Sequence, residues 1–136
     1  MHEIEETGGA NIGFGRVTWP FAKFSVNKNE LQLNASIIGN VYFRPSDIIS
    51  IEPSGLFNGN GIKINHRVNG YSQKIIFLTS GSRNLIKRIE DTGFLNNTGP
   101  IPAEVEGRIV KYQSIGSFPM KWSAVIVLLL SGIYYF

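Results

Sequence analysis

The side chains able to do chemistry are few and scattered. Asp47 and Glu52 are the carboxylates in the middle of the chain. A general acid or base needs a matched partner within hydrogen-bond reach. Asp47 follows Pro45-Ser46, where a turn residue belongs, Glu52 alternates with Ile51, and neither has a histidine in local register. His66 shares a strand face with Ile62, Ile64 and Val68. That places it at the edge of a core with one hydrogen bond, the alternative being a ligand or pH-sensing role. One imidazole does not build a metal site. The absence of cysteine excludes disulfides, thiolate zinc sites and cysteine nucleophiles. Gly13-Phe14-Gly15 lacks the third glycine and following helix of a dinucleotide site, and Gly55 to Gly61 lacks the Lys-Ser/Thr of a P-loop. Both read as turns. The chain is expected to be non-enzymatic, with no metal and no cofactor.

The remaining chemistry is electrostatic. Lys63 and Arg67 fall on the polar side of one strand, and the register set by Asn69-Gly70 places Lys74 opposite Asn65, between them. Such a face is either solvated surface with edge-protecting lysine or a contact surface for anionic lipid or a partner. Thirteen basic against ten acidic residues leave a net charge of +3 and a pI near 9.3. That is too diffuse for a nucleic-acid binder, whose basic residues cluster. The composition, 43% hydrophobic and 17% charged, is that of a chain that buries a core.

Positioning these residues requires strands. Phe21 to Val26 alternates, with Ala22, Phe24 and Val26 on one side. Leu31, Leu33, Ala35 and Ile37 share a face of the next strand. A three-residue loop, Ile38 to Asn40, then pairs Ile37 with Val41 and Ala35 with Phe43 and keeps the apolar face together. Pro45 ends the third strand and Pro53 the fourth, Ile48 to Glu52. Asn69-Gly70 reads as a type I′ turn pairing Val68 with Tyr71, Ile64 with Ile75 and Ile62 with Phe77. Ser82 is a candidate cap for a helix striped by Leu85, Ile86 and Ile89. Gly93 should stop that helix with a positive φ, letting Phe94 pack back on it. Six strands are clear, and Phe14 to Trp19 is the candidate seventh.

This order resembles the pleckstrin-homology-like (PH-like) fold, and more narrowly the small bacterial PH-like or GRAM-like domains attached to membrane segments. The resemblance is carried by FAKFSV, ELQL, VYFRPSDIISIE and KIIFLTSG-SRNLIKRI. It implies a mainly β fold: a partly open barrel of six to seven antiparallel strands capped by one C-terminal helix. In many PH domains the inositide contact is a Lys, a further Lys or Arg, and an Arg in the first hairpin. Lys23 and Lys28 are here and the Arg is not.

The chain therefore divides into a flexible N-terminus (1–11) that is no signal peptide, a PH-like domain (12–94), a linker (95–118) and an apolar tail (119–136). Trp122 to Phe136 is uncharged. Fifteen residues rise about 22 Å as a helix, short of a bilayer core of about 30 Å. Trp122, Tyr134 and Tyr135 stand where interfacial aromatics belong, and Lys121 can snorkel. The tail reads as a transmembrane anchor. Arg108, Lys111 and Lys121, with no acidic residue among them, place the domain on the cytoplasmic side. The expected function is that of a single-pass, membrane-anchored binding module whose partners are the lipid bilayer, anionic head groups or a membrane protein, and not nucleic acid. The alternative is a small accessory subunit of a larger membrane complex.

Overall fold

The computed structural model of the chain describes residues 3–54 and 61–114. Its organising strand lies in the segment expected to be flexible. Residues Ile4–Ile12 form β1. Ile4, Gly8, Ala10 and Ile12 are all buried, but the two smallest disguise the alternation in the sequence. β1 pairs with β2 (Gly15–Val26) along its length and with β7 (Ile75–Leu78) from Gly9 to Ile12. The segment from Phe14 to Trp19 is thus no separate strand but belongs to the turn and the first half of β2.

The remaining strands are β3 (Leu31–Asn34), β4 (Asn40–Phe43), β5 (Ile48–Pro53) and β6 (Gly61–His66). All neighbours are antiparallel, in the order β4-β3-β2-β1-β7-β6-β5. The sheet curls into a nearly closed barrel, compatible with a PH-like fold. Phe24 of β2 stacks on Phe77 of β7 at 5.0 Å inside it. At the gap between the outer strands, the buried Tyr42 N–H of β4 donates to the Tyr71 hydroxyl at 3.1 Å. The Arg67 N–H donates to the Asp47 carbonyl at 3.0 Å, which extends the β5–β6 ladder one step past the Ile48–His66 pair.

One register and one turn differ from expectation. In the β3–β4 hairpin Leu33 faces Val41 and Leu31 faces Phe43, four residues from the expected pairing. An even shift preserves the faces, so Leu31, Leu33, Val41 and Phe43 are all buried while Ile37 is carried out on the loop. The β6–β7 ladder has Ile62 opposite Phe77 as expected and ends at Lys63 opposite Ile76. Beyond it the chain turns with the Tyr71 N–H donating to the Val68 carbonyl. Neither Asn69 nor Gly70 has positive φ, so this is not the type I′ turn.

Helix α1 (Ser82–Asp91) buries Leu85 and Ile89. Gly93 has φ +82° and Phe94 is fully buried, as the stop signal requires. Ser82 is not the cap but the first helical residue; Gly81 takes the cap position.

The stretch read as linker contains a second helix, α2 (Ala103–Ser114). Pro102 stands just ahead of it, Glu104 and Glu106 lie in its first turn and Lys111 in its last, all favourable to a helix. Ile109 is buried, and Tyr112 stacks on Tyr42 at 4.2 Å. Among the described residues there are therefore two α-helices where one capping helix was expected.

The expected transmembrane helix, and the single-pass membrane placement with a cytoplasmic domain that rested on it, are corrected. Among the described residues no helix is long and apolar enough to cross a membrane. α1 and α2, of 10 and 12 residues, rise only about 15 and 18 Å, and both carry charges. Residues 119–136, with Lys121, Trp122, Tyr134 and Tyr135, lie outside the described residues.

Candidate functional site

The candidate acid–base groups are tied into structure. Asp47 is buried, and its Oδ2 accepts from the Arg44 N–H at 2.8 Å, Arg44 Nε at 3.2 Å and Gln113 Nε2 at 2.8 Å. Arg44 also reaches Glu106 at 2.6 Å, and Gln113 Nε2 donates to the Tyr42 carbonyl at 2.9 Å. The Asp47 hydrogen bond, set against partial burial, raises the Arg44 pKa above its ordinary value. This network fastens α2 to β4. Glu52 accepts from Asn65 Nδ2 at 3.3 Å.

His66 is buried with both ring nitrogens engaged. Nδ1 accepts the Val68 N–H at 3.0 Å, which leaves Nε2 to donate to the Ser72 carbonyl at 2.8 Å. Its ring lies 5.1 Å from that of Phe43. Among the described residues no group of three or more His, Asp or Glu side chains could hold a metal ion.

The basic residues are divided between two places. Lys63 is exposed in the middle of β6, directly opposite Glu52 of β5, so an acidic neighbour offsets its charge. Asn65 faces Ser50, and its amide donates to Ser50 Oγ at 2.9 Å; Lys74 is not opposite it but in the β6–β7 loop. Arg67 is exposed in the same loop. Lys23 lies far along β2 from the first hairpin turn and pairs with Glu5 at 2.6 Å, and Lys28 lies in the β2–β3 turn.

Arg67 and Lys74 belong to a rim of three loops. The Gly13 N–H of the β1–β2 turn donates to the Lys74 carbonyl at 2.9 Å. Gly15 packs so closely on the β3–β4 loop that a Cβ there would meet Ile38 at 2.9 Å. Each of those two loops holds out an apolar side chain. Phe14 is fully exposed, and Ile37 is 83% exposed. Phenylalanine at a turn tip was visible in the sequence as Gly13-Phe14-Gly15; what was not visible is that the rim loops bring it beside a cationic loop.

No protein-family model, curated protein or solved structure matches the chain.

Proposed function

We propose that the chain is a non-enzymatic binding module of the PH-like type, and that its three-loop rim contacts anionic lipid head groups. The support for the fold type is the strand order, with α1 following the last strand. The observation that carries the contact surface is the fully exposed Phe14 on a turn hydrogen-bonded to the loop of Arg67 and Lys74.

The chemistry is complementary to a head-group layer. Phenylalanine and isoleucine each gain about 1.5–3 kcal/mol on full burial. A cation near an anionic surface gains about 1 kcal/mol, screened beyond a Debye length. Two of each suffice for reversible contact and no more. Lys63, opposite Glu52, adds little.

Co-sedimentation with vesicles containing phosphatidylserine, and with neutral phosphatidylcholine vesicles, tests the reading. Binding should be confined to the anionic vesicles, weaken in high salt, and be lost in Phe14→Ser/Ile37→Ser and in Arg67→Glu/Lys74→Glu. Binding that persists in both variants, or no binding to anionic vesicles at low salt, would turn attention to a protein partner.

A further inference from the structure

A second surface shares no residue with the rim. In β2 the pairing with β1 jumps from Val17 opposite Ala10 to Ala22 opposite Gly8. Thr18 to Phe21 thus stand against Gly9 alone, a far larger irregularity than the single extra residue of an ordinary bulge. Glycine is what permits it. A Cβ on Gly9 would lie 2.7 Å from the Val17 carbonyl, which crosses over it. The bulge lifts Trp19 outward until 70% of it is exposed.

Beside Trp19 lies a cleft of about 520 Å³, within the range of small-ligand sites. Gly8 and Gly9 are in its lining, and Thr7, Thr18, Thr79 and Ser80 supply hydroxyl groups. Glu6 is the one carboxylate in the lining, and it is paired with Arg88 of α1. Arg16 is the one basic residue in the lining. The cleft therefore offers a flat aromatic surface, several neutral groups that both donate and accept, and one guanidinium that donates.

We propose that this cleft binds a pyranose sugar. A pyranose has an apolar C–H face, which suits an exposed indole, and a ring of hydroxyls, which suits a wall of hydroxyls. A wholly apolar ligand would leave the threonine and serine hydroxyls unpaired. With Glu6 held by Arg88, the cleft has no pair of carboxylates with which to cleave a glycoside, so the site binds without turnover.

The test is a titration of the full chain with methyl glucoside, methyl galactoside and N-acetylglucosamine. The chain has two tryptophans, so Trp122→Phe supplies the background in which fluorescence reports Trp19. At least one sugar should shift the Trp19 emission saturably, with a dissociation constant on the order of 1 mM. Trp19→Ala, read by saturation-transfer NMR, should weaken that sugar by about tenfold or more. Thr18→Val should weaken it as well, with an unchanged melting curve in both variants. No saturable shift with any of the three sugars overturns the proposal. So does sugar binding that survives Trp19→Ala, or a response to adenosine monophosphate and not to sugars.

Discussion

Raising the pH through the tyrosine range tests how the barrel is closed. Tyr71 is 3% exposed, and its hydroxyl accepts the Tyr42 backbone N–H. Burial pushes its pKa from 10.0 up to about 12; the Tyr42 N–H pulls it back, and Asp47 and Tyr42 add to the rise. Between those values the unfolded chain gives up the proton and the folded chain keeps it. The stabilising effect is therefore fully present below about pH 10 and lost as the pH climbs towards about 12. Two units at about 1.36 kcal/mol each come to roughly 3 kcal/mol, of which about 1.4 kcal/mol is gone by about pH 11. Tyr71→Phe cannot ionise there, and it strands the buried Tyr42 N–H at a cost of about 1–3 kcal/mol at neutral pH. Urea melts of both proteins between about pH 8 and 11 measure the difference. Burial also raises the Tyr42 pKa, but Tyr42 is present in both proteins and largely cancels. The stability gap should narrow by about 1.4 kcal/mol by about pH 11. A gap independent of pH would refute the closure of the barrel by Tyr71.

Three further outcomes follow from packing. Gly8→Ala would put a Cβ 2.2 Å from the Leu78 carbonyl and 2.8 Å from the Phe77 ring, so a loss of about 1–3 kcal/mol or more is expected in thermal melts. Asp47→Ala strips the buried acceptor from Arg44 and Gln113, while Arg44 keeps Glu106; denaturant melts should show a loss of about 1–3 kcal/mol, and hydrogen exchange should speed up in α2. Asn69→Ala, in a turn without positive φ, should change stability by no more than about 0.5 kcal/mol.

Much of the fold was legible because strand periodicity survives errors of register. The β3–β4 hairpin is four residues from the expected pairing, yet Leu33 and Val41 still face inward together. Leu85, Ile89 and Gly93 marked the stripe and the stop of α1 directly. β1 was hidden because Gly8 and Ala10 occupy inward positions that periodicity expects a larger residue to mark. α2 was hidden by Pro100, Pro102 and Gly107, which read as linker, and because Ile109 is its one fully buried residue. Asn69-Gly70 misled because the chain leaves the ladder after Lys63, so the turn need not match the twist of paired strands. Of the basic residues, Lys63 alone keeps its expected strand face, while Arg67 and Lys74 lie in the β6–β7 loop beyond the end of the ladder. Glu52 opposite Lys63, and Phe14 beside Lys74, are long-range consequences of topology. The exposed Trp19 depends on a bulge whose signal, Gly8-Gly9, lies on a different strand.

The rim assignment is tested most directly by backbone amide NMR of the chain during titration with phosphatidylserine-containing nanodiscs. Line broadening and shift changes should concentrate at Gly13–Gly15, Ser36–Ile38 and Arg67–Lys74, leaving α1 and the first turns of α2 unperturbed; the end of α2 at Gln113 abuts Gly70 of the rim. Perturbations centred on α2 or on β5, with the three loops silent, would contradict the account.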